Sequence, residues 1–204
     1  MKKWCIGVWH PSVIMTYAGL AFSVIGIGVA RTGRISLALV LLVLAALCDI
    51  FDGIVARCFK RNDTEKEFGI QIDSLVDVCS FVIFPVCLLF CMYGCGIVTY
   101  VVATVYAIMG VARLAWFNIV THEDPDCFFG LPVIYSALIV PTVYLLLSFL
   151  QVSFSTGSWI VYGLYTLMAV LFVCNFKTKK PGLLFRLFML VVAVALVVTL
   201  LFAV

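Results

Sequence analysis

This sequence has few charged residues for its length. Only 11% of its 204 residues are Asp, Glu, Lys or Arg, whereas 65% are hydrophobic. A soluble domain of this size could not bury so much apolar surface, so the composition excludes a water-soluble globular protein and indicates a polytopic membrane protein. The net charge is only +3, and we expect no nucleic acid as a partner. The sequence also lacks an evident soluble domain, linker, repeat or cleavable signal peptide.

Apolar stretches follow one another along most of the chain. A helix needs about 20 predominantly apolar residues to cross a bilayer. Short turns separate seven segments of roughly that length: 13–30, 35–57, 68–93, 97–119, 131–150, 159–175 and 187–204. We therefore expect an all-α fold, a polytopic membrane helical bundle, in which residues 1–204 form a single integral membrane domain.

The few basic residues are unevenly distributed between the two ends of these segments. With the N-terminus inside, the outer side holds only Arg31 and Arg34. The inner side holds Lys2, Lys3, Arg57, Lys60, Arg61, Lys66, Lys177, Lys179, Lys180 and Arg186. Because cytoplasmic loops carry an excess of Lys and Arg, this distribution places the charged loop predicted at 58–66 in the cytoplasm. We expect the membrane to be a prokaryotic plasma membrane.

Four of the ten acidic residues occur where they are costly, at the facing ends of two apolar segments. Asp49 and Asp52 are three residues apart, and Asp73 and Asp77 are four apart, so each pair shares one helix face. A carboxylate inside a membrane helix costs roughly 2.5–3.5 kcal/mol on insertion scales, so four together need a cation or a polar cavity. Hard oxygen ligands suit Mg²⁺ or Mn²⁺. A structural polar network or an ion pathway is the alternative interpretation.

The residues around these carboxylates form a longer motif. It reads Asp49-x-x-Asp52-Gly53-x-x-Ala56-Arg57, followed by Gly69-x-x-x-Asp73-x-x-x-Asp77. This pattern resembles the signature of the CDP-alcohol phosphatidyltransferases. Eleven residues separate Arg57 from Gly69, more than the family usually has. The additional residues lie in the predicted polar loop, where insertions are well tolerated.

The resemblance implies a fold and a set of roles. It implies a six-helix core at about residues 11–176, an additional C-terminal segment at about 183–204, and a homodimer. Two divalent cations, Mg²⁺ or Mn²⁺, would be held by the carboxylates. Asp49, Asp52 and Asp73 would be the main ligands, and Asp77 would be the base that activates the acceptor hydroxyl and also touches a metal. The implied nucleotide-binding residues are Asp49, Gly53, Ala56, Arg57 and Gly69.

Further stretches resemble the phosphatidylserine synthases of this superfamily. They are Phe68-Gly69-Ile70-Gln71-Ile72-Asp73-Ser74-Leu75-Val76-Asp77, Ala112-Arg113-Leu114-Ala115-Trp116-Phe117-Asn118 and Phe129-Gly130-Leu131-Pro132. In the second stretch, Trp116 stands where those enzymes have a second Arg. Arg113, Asn118 and Ser74 are candidates for binding the carboxylate of the acceptor or a lipid phosphate.

The function implied is transfer of the phosphatidyl group from CDP-diacylglycerol to the hydroxyl of L-serine, with release of CMP, by metal-assisted in-line displacement. The same chemistry with another alcohol, such as glycerol phosphate or an inositol compound, is the first alternative. A small cation transporter is the second. The sequence favours it less, because the Asp pairs lie at segment ends on one side and not at mid-membrane.

Overall fold

The protein is a bundle of apolar helices. The computed structural model describes residues 7–120, 127–179 and 183–202. Its helices are α1 (Ile14–Arg31), α2 (Ile35–Arg57), α3 (Asp63–Asp77), α4 (Phe84–Tyr93), α5 (Ile97–Val120), α6 (Ser136–Phe149), α7 (Phe154–Val173) and α8 (Leu183–Phe202). A π-helical turn, Val78–Ile83, joins α3 and α4 into one continuous helix. Single 3₁₀ turns, Pro11–Val13 and Val133–Tyr135, precede α1 and α6.

Five helices among the described residues are long and apolar enough to cross a membrane. They are Pro11–Arg31, Ile35–Gly53, Asp63–Tyr93, Ile97–Ile119 and Phe154–Val173. Two apolar helices are shorter, Val133–Phe149 and Leu187–Phe202. The predicted polytopic helical membrane protein is therefore confirmed. The helix that follows the predicted six-helix core, α8, packs against α2 and α6.

The predicted charged loop at 58–66 is wrong in its second half, because α3 already begins at Asp63. Asn62 causes the early start. Its side chain accepts a hydrogen bond from the Glu65 amide at 2.8 Å, and the Glu65 carboxylate accepts one from the Asn62 amide at 2.9 Å. This reciprocal pair satisfies amide groups that a helix N-terminus otherwise leaves unpaired. Charged residues thus extend the third helix beyond its apolar part.

Small residues bring α1 against α2. A Cβ atom on Gly19 would lie 3.4 Å from the Cβ atom of Cys48 and 3.5 Å from the carbonyl oxygen of Ala45. Membrane helices commonly associate through such small residues, which let two backbones approach closely. The consequence for function is that the first turns of α1 lie beside the last turns of α2, where Asp49 and Asp52 are.

A short strand pair, which the sequence did not predict, connects two loops. β1 (Cys127–Phe129) pairs antiparallel with β2 (Lys177–Lys179), so that Phe128 lies opposite Thr178. After β1, the Gly130 amide donates to Phe176 O at 3.0 Å and the Leu131 amide donates to Leu171 O at 2.9 Å. The segment before α6 is thereby fixed to the end of α7. The membrane helices remain the all-α bundle that was predicted.

Gly130 allows a first test of this arrangement. Its φ is +66°, and an added Cβ would lie 2.6 Å from Phe172 O. We expect Gly130→Ala to destabilise the protein by about 2 kcal/mol or more, because both the left-handed backbone and the backbone contact disfavour a side chain. Thermal unfolding in detergent measures the effect. Gly163→Ala in α7 is the control, because no atom of another described residue lies within 4 Å of its Cβ position, apart from the nearby backbone of α7. Equal unfolding midpoints for the two variants would contradict this account.

Candidate active site

The structure brings the four motif aspartates together between α2 and α3. Asp49, Asp52 and Asp73 each offer one carboxylate oxygen, and these three oxygens all lie within 4.8 Å of one another. The carboxyl group of Asp77 is in hydrogen-bonding contact with that of Asp49, and Asp73 is in the same kind of contact with Asp52. All four side chains are half-buried. Close carboxyl groups in a bundle of apolar helices need bound cations or shared protons to reduce their negative charge.

The carboxylates line a small cavity of about 10 Å³. Such a volume has room for roughly one water-sized species. Its other lining residues come from α1, α2, α3 and the π-helical turn: Met15, Thr16, Gly19, Ala45, Val76, Ser80 and Phe81. This space fits an ion but not a nucleotide, so a larger ligand must lie outside it.

Gly53 follows Asp52 directly on α2 and is exposed. Apart from the neighbouring backbone of α2, no described atom lies within 4 Å of the position that a Cβ on this residue would occupy. Ala56, one turn further along α2, is half-buried. Gly69 is less open, because a Cβ there would lie 3.4 Å from Nη1 of Arg61. The backbone of Arg57 ends α2, but its side chain lies outside the described part of the chain, so its predicted contact with phosphate has no structural description.

Two hydroxyl groups near the carboxylates were not predicted as site residues. The Thr16 hydroxyl donates a hydrogen bond to Oδ2 of Asp52 at 3.1 Å. The Ser23 hydroxyl donates to Oγ of Ser80, at the cavity wall, at 2.7 Å. A signal for both was present, because the small residues Thr16, Gly19 and Ser23 follow one another at helical spacing and indicate a face that packs closely against other helices.

Two of the three predicted acceptor residues contact each other. The Ser74 hydroxyl donates to Oδ1 of Asn118 at 3.0 Å, and Nδ2 of Asn118 lies 2.9 Å from Oγ of Ser74. This contact ties α3 to α5 immediately after Asp73. Ser74 and Asn118 are therefore hydrogen-bonding partners of each other, whether or not they also contact a ligand.

The third acceptor residue, Arg113, is a buried cation. Its side chain lies over the Phe117 ring, with 5.4 Å from Cζ to the ring centroid, and only 6% of the residue is exposed. It interacts electrostatically with Asp77. Among the groups that the structure describes, its Nε has no hydrogen-bond partner. A buried guanidinium donor without a partner is suited to an anionic ligand, because charge-assisted hydrogen bonds to carboxylate or phosphate are strong.

A second and larger space lies between α6 and α8. This groove has a volume of about 420 Å³, and apart from Tyr135 and Thr142 its lining is apolar. Its described lining offers no charged group to a nucleotide or an amino acid. Polar chemistry is therefore expected at the carboxylate cluster.

The fold and the site define an integral membrane protein with four carboxylates gathered between its second and third helices. A family model described as CDP-alcohol phosphatidyltransferase matches residues 8–201. The chain belongs to the CDP-alcohol phosphatidyltransferase family. This family uses divalent cations, and the donor set of Asp49, Asp52 and Asp73 fits such an ion.

Several curated relatives are similar over much of this chain. A CDP-diacylglycerol–serine O-phosphatidyltransferase of Helicobacter pylori (strain J99) is 33% identical over 156 residues, which cover 74% of this chain and 65% of the relative. An archaetidylserine synthase of Methanothermobacter thermautotrophicus is 34% identical over 117 residues, 55% of this chain and 48% of the relative. A CDP-diacylglycerol–serine O-phosphatidyltransferase of Mycobacterium tuberculosis is 27% identical over 173 residues, 81% of this chain and 59% of the relative. The chain thus spans less than two thirds of their length.

The cation site can be tested directly. We expect Asp73→Asn to weaken Mn²⁺ binding by at least about tenfold, because the change removes an anionic oxygen from the ligand set. Mn²⁺ titration of the purified protein, followed by electron paramagnetic resonance, measures the affinity. Asp63→Asn is the control, because Asp63 is exposed at the start of α3 and pairs with Lys66 at 2.9 Å. Unchanged Mn²⁺ affinity in Asp73→Asn would refute the assignment.

Proposed function

We propose that this protein transfers the phosphatidyl group of CDP-diacylglycerol to the hydroxyl of L-serine, forming phosphatidylserine and CMP. The observation that carries the proposal is the convergence of four motif carboxylates on one ion-sized cavity. Family membership supports the use of a CDP-alcohol substrate. The names of the similar bacterial proteins, and of the archaeal one, support serine as the acceptor.

The carboxylates provide the cation site of this reaction. We infer that Asp49, Asp52 and Asp73 are the main ligands of two divalent cations, Mg²⁺ or Mn²⁺, and that Asp77 touches one of them. Because the cavity has room for about one ion, the second would lie outside it. When bound, such ions neutralise charge on the phosphate oxygens, which is the main requirement of phosphoryl transfer. The protein then needs to hold the donor phosphorus and the serine hydroxyl in line.

Asp77 is proposed as the general base. It accepts the proton of the serine hydroxyl while the serine oxygen forms a bond to the phosphorus that carries diacylglycerol. The bond between that phosphorus and the bridging oxygen breaks, and CMP leaves with this oxygen. A hydroxyl is a poor nucleophile until its proton is removed, so a carboxylate next to the cation site is the group that the reaction needs.

The nucleotide is proposed to lie beside the carboxylate cluster, next to Gly53. Gly53 and Ala56 leave room for it along α2, and Asp49 contacts it together with Gly69. Arg57 is proposed to pair with its phosphates through the forked donors of the guanidinium. Arg61, whose side chain lies next to Gly69, is a further cation within reach of the same region.

The acceptor or a lipid phosphate is proposed to contact Arg113, with Ser74 and Asn118 beside it. Support comes from the buried guanidinium, whose Nε has no partner among the described groups, and from its interaction with Asp77, the proposed base. A carboxylate bound to Arg113 would bring the serine hydroxyl towards Asp77.

The setting of the enzyme is also a proposal. We infer a single domain over residues 1–204, with a core at about 11–176 and a C-terminal segment at about 183–204. The distribution of Lys and Arg supports a site that faces the cytoplasm. The bacterial and archaeal relatives support a prokaryotic plasma membrane, and the family resemblance supports a homodimer.

An acceptor panel tests the proposed substrate. We expect purified protein with CDP-diacylglycerol and Mn²⁺ to form phosphatidylserine from L-serine. Ethanolamine and glycerol 3-phosphate should be very poor acceptors. Ethanolamine lacks the carboxylate of serine, and glycerol 3-phosphate lacks both its amino and its carboxylate group, so polar groups of the site that bind these would remain unpaired. Mass spectrometry of the lipid product distinguishes the outcomes. Phosphatidylglycerol phosphate or a phosphoinositide as the main product would overturn serine as the acceptor. Cation uptake into vesicles without any lipid product would favour a transporter.

The role of Asp77 is tested separately. We expect Asp77→Asn to lower the rate of transfer to serine by about 10²–10⁴-fold, which is the usual contribution of a positioned base. The amide keeps a similar shape but cannot take the proton. Binding of CDP-diacylglycerol should persist, since the other three aspartates still offer cation ligands. A rate close to that of the Asp63→Asn control would exclude Asp77 as the base.

A further inference from the structure

The π-helical turn Val78–Ile83 begins directly after Asp77. A π turn places one extra residue in a helix. One residue corresponds to a rotation of about 100° around the helix axis. If α4 is held in one orientation, the turn therefore sets the rotation of α3. This rotation determines whether Asp73 and Asp77 face α2.

Pro85 provides a physical reason for this turn. Proline has no amide hydrogen, and its ring clashes with the carbonyl group four residues earlier in a regular α-helix. That carbonyl belongs to Phe81, within the π turn. Widening the helix at this point relieves the clash, but Pro85 still offers no amide to the Phe81 oxygen.

Two side chains from other helices donate to that carbonyl. The Tyr106 hydroxyl of α5 lies 2.9 Å from Phe81 O, and the Ser136 hydroxyl at the start of α6 lies 3.2 Å from it. Both residues are fully buried. Buried carbonyl groups need partners, so these two hydroxyls replace the amide that Pro85 lacks.

The two ends of the turn face different neighbours. Before it, Asp73 and Asp77 line the ion-sized cavity with Asp49 and Asp52. After it, Phe84 is fully buried and lies against Gly26 of α1. A regular helix through this region could not keep Phe84 in place and also direct the carboxylates of α3 into the cavity.

We propose that Tyr106 and Ser136 are positioning residues for the carboxylate cluster: by donating to Phe81 O they hold the π turn, and the π turn directs Asp73 and Asp77 towards Asp49 and Asp52. The proposal deepens the proposed function and rests on it for its catalytic consequence. The consequence for cation binding can be measured without any substrate.

Tyr165, which contacts Tyr106, provides a matched control. Tyr165 is also fully buried, its ring centroid lies 5.0 Å from that of Tyr106, and its hydroxyl donates to Pro85 O at 2.9 Å. That carbonyl belongs to α4, beyond the π turn. Tyr165→Phe and Tyr106→Phe therefore remove the same kind of buried hydrogen bond, but only Tyr106→Phe removes it from the turn.

The experiment compares Mn²⁺ affinity, Mn²⁺ dependence of activity and thermal unfolding in Tyr106→Phe, in Tyr106→Phe with Ser136→Ala, and in Tyr165→Phe. We expect the double variant to weaken Mn²⁺ binding about tenfold, the range found for groups that orient metal ligands. Its half-activating Mn²⁺ concentration should rise in parallel, its kcat should fall, and its KM for serine should change little. Tyr165→Phe should lower the unfolding midpoint without changing Mn²⁺ affinity.

Equal Mn²⁺ affinity in the Tyr106 and Tyr165 variants would overturn the proposal, because the hydroxyls would then be merely structural. If the double variant does not fold, the Mn²⁺ affinity of the single Tyr106→Phe variant is compared with that of Tyr165→Phe instead. Failure of the wild-type protein to make phosphatidylserine would contradict the proposed function. The positioning role would still be tested, because the Mn²⁺ affinities are measured without substrate.

Discussion

The structure depends on the cost of holding four carboxylates in an apolar bundle. Asp49, Asp52, Asp73 and Asp77 lie around a cavity that fits one water-sized species, and no salt bridge to a basic side chain is found for them among the described residues. In a low-dielectric region the negative charge of such an arrangement must be reduced, either by bound cations or by protons shared between the carboxyl groups. The concentrated negative charge that makes the cluster costly for folding also makes it a strong site for divalent cations.

The other helices keep this cluster in shape. Close packing of α1 against α2 places the Thr16 hydroxyl at Asp52, which orients a proposed ligand in the way that outer-shell groups usually do. On the other side, the π turn after Asp77 sets the rotation of α3, and buried hydroxyls from α5 and α6 hold it. Three helices outside the motif, α1, α5 and α6, thus contribute to the geometry of α2 and α3, the two helices that carry the carboxylates.

Some features of the fold could not be predicted from hydropathy. The start of α3 at Asp63 depends on a capping pair formed by Asn62 and Glu65, whereas the apolar pattern begins only at Phe68. The sheet between β1 and β2 pairs residues that are about fifty positions apart, and a three-residue strand has no periodicity that a sequence could reveal. Ser74 and Asn118 were singled out as ligand residues, but the structure also gives each the other as a partner.

The sequence by itself determined the membrane class, the helical bundle and the four carboxylates. Apolar runs of spanning length allow only helices with internally satisfied backbones, and acidic pairs at spacings of three and four must share a helix face. Only the tertiary structure decided which groups surround them. The contact of Thr16 with Asp52, the burial of Arg113 and the donors to Phe81 O depend on the relative rotation of helices far apart in the chain. That rotation follows from side-chain packing and from the π turn that precedes Pro85. A proline in the sequence indicates a disturbed helix but does not specify the rotation that results.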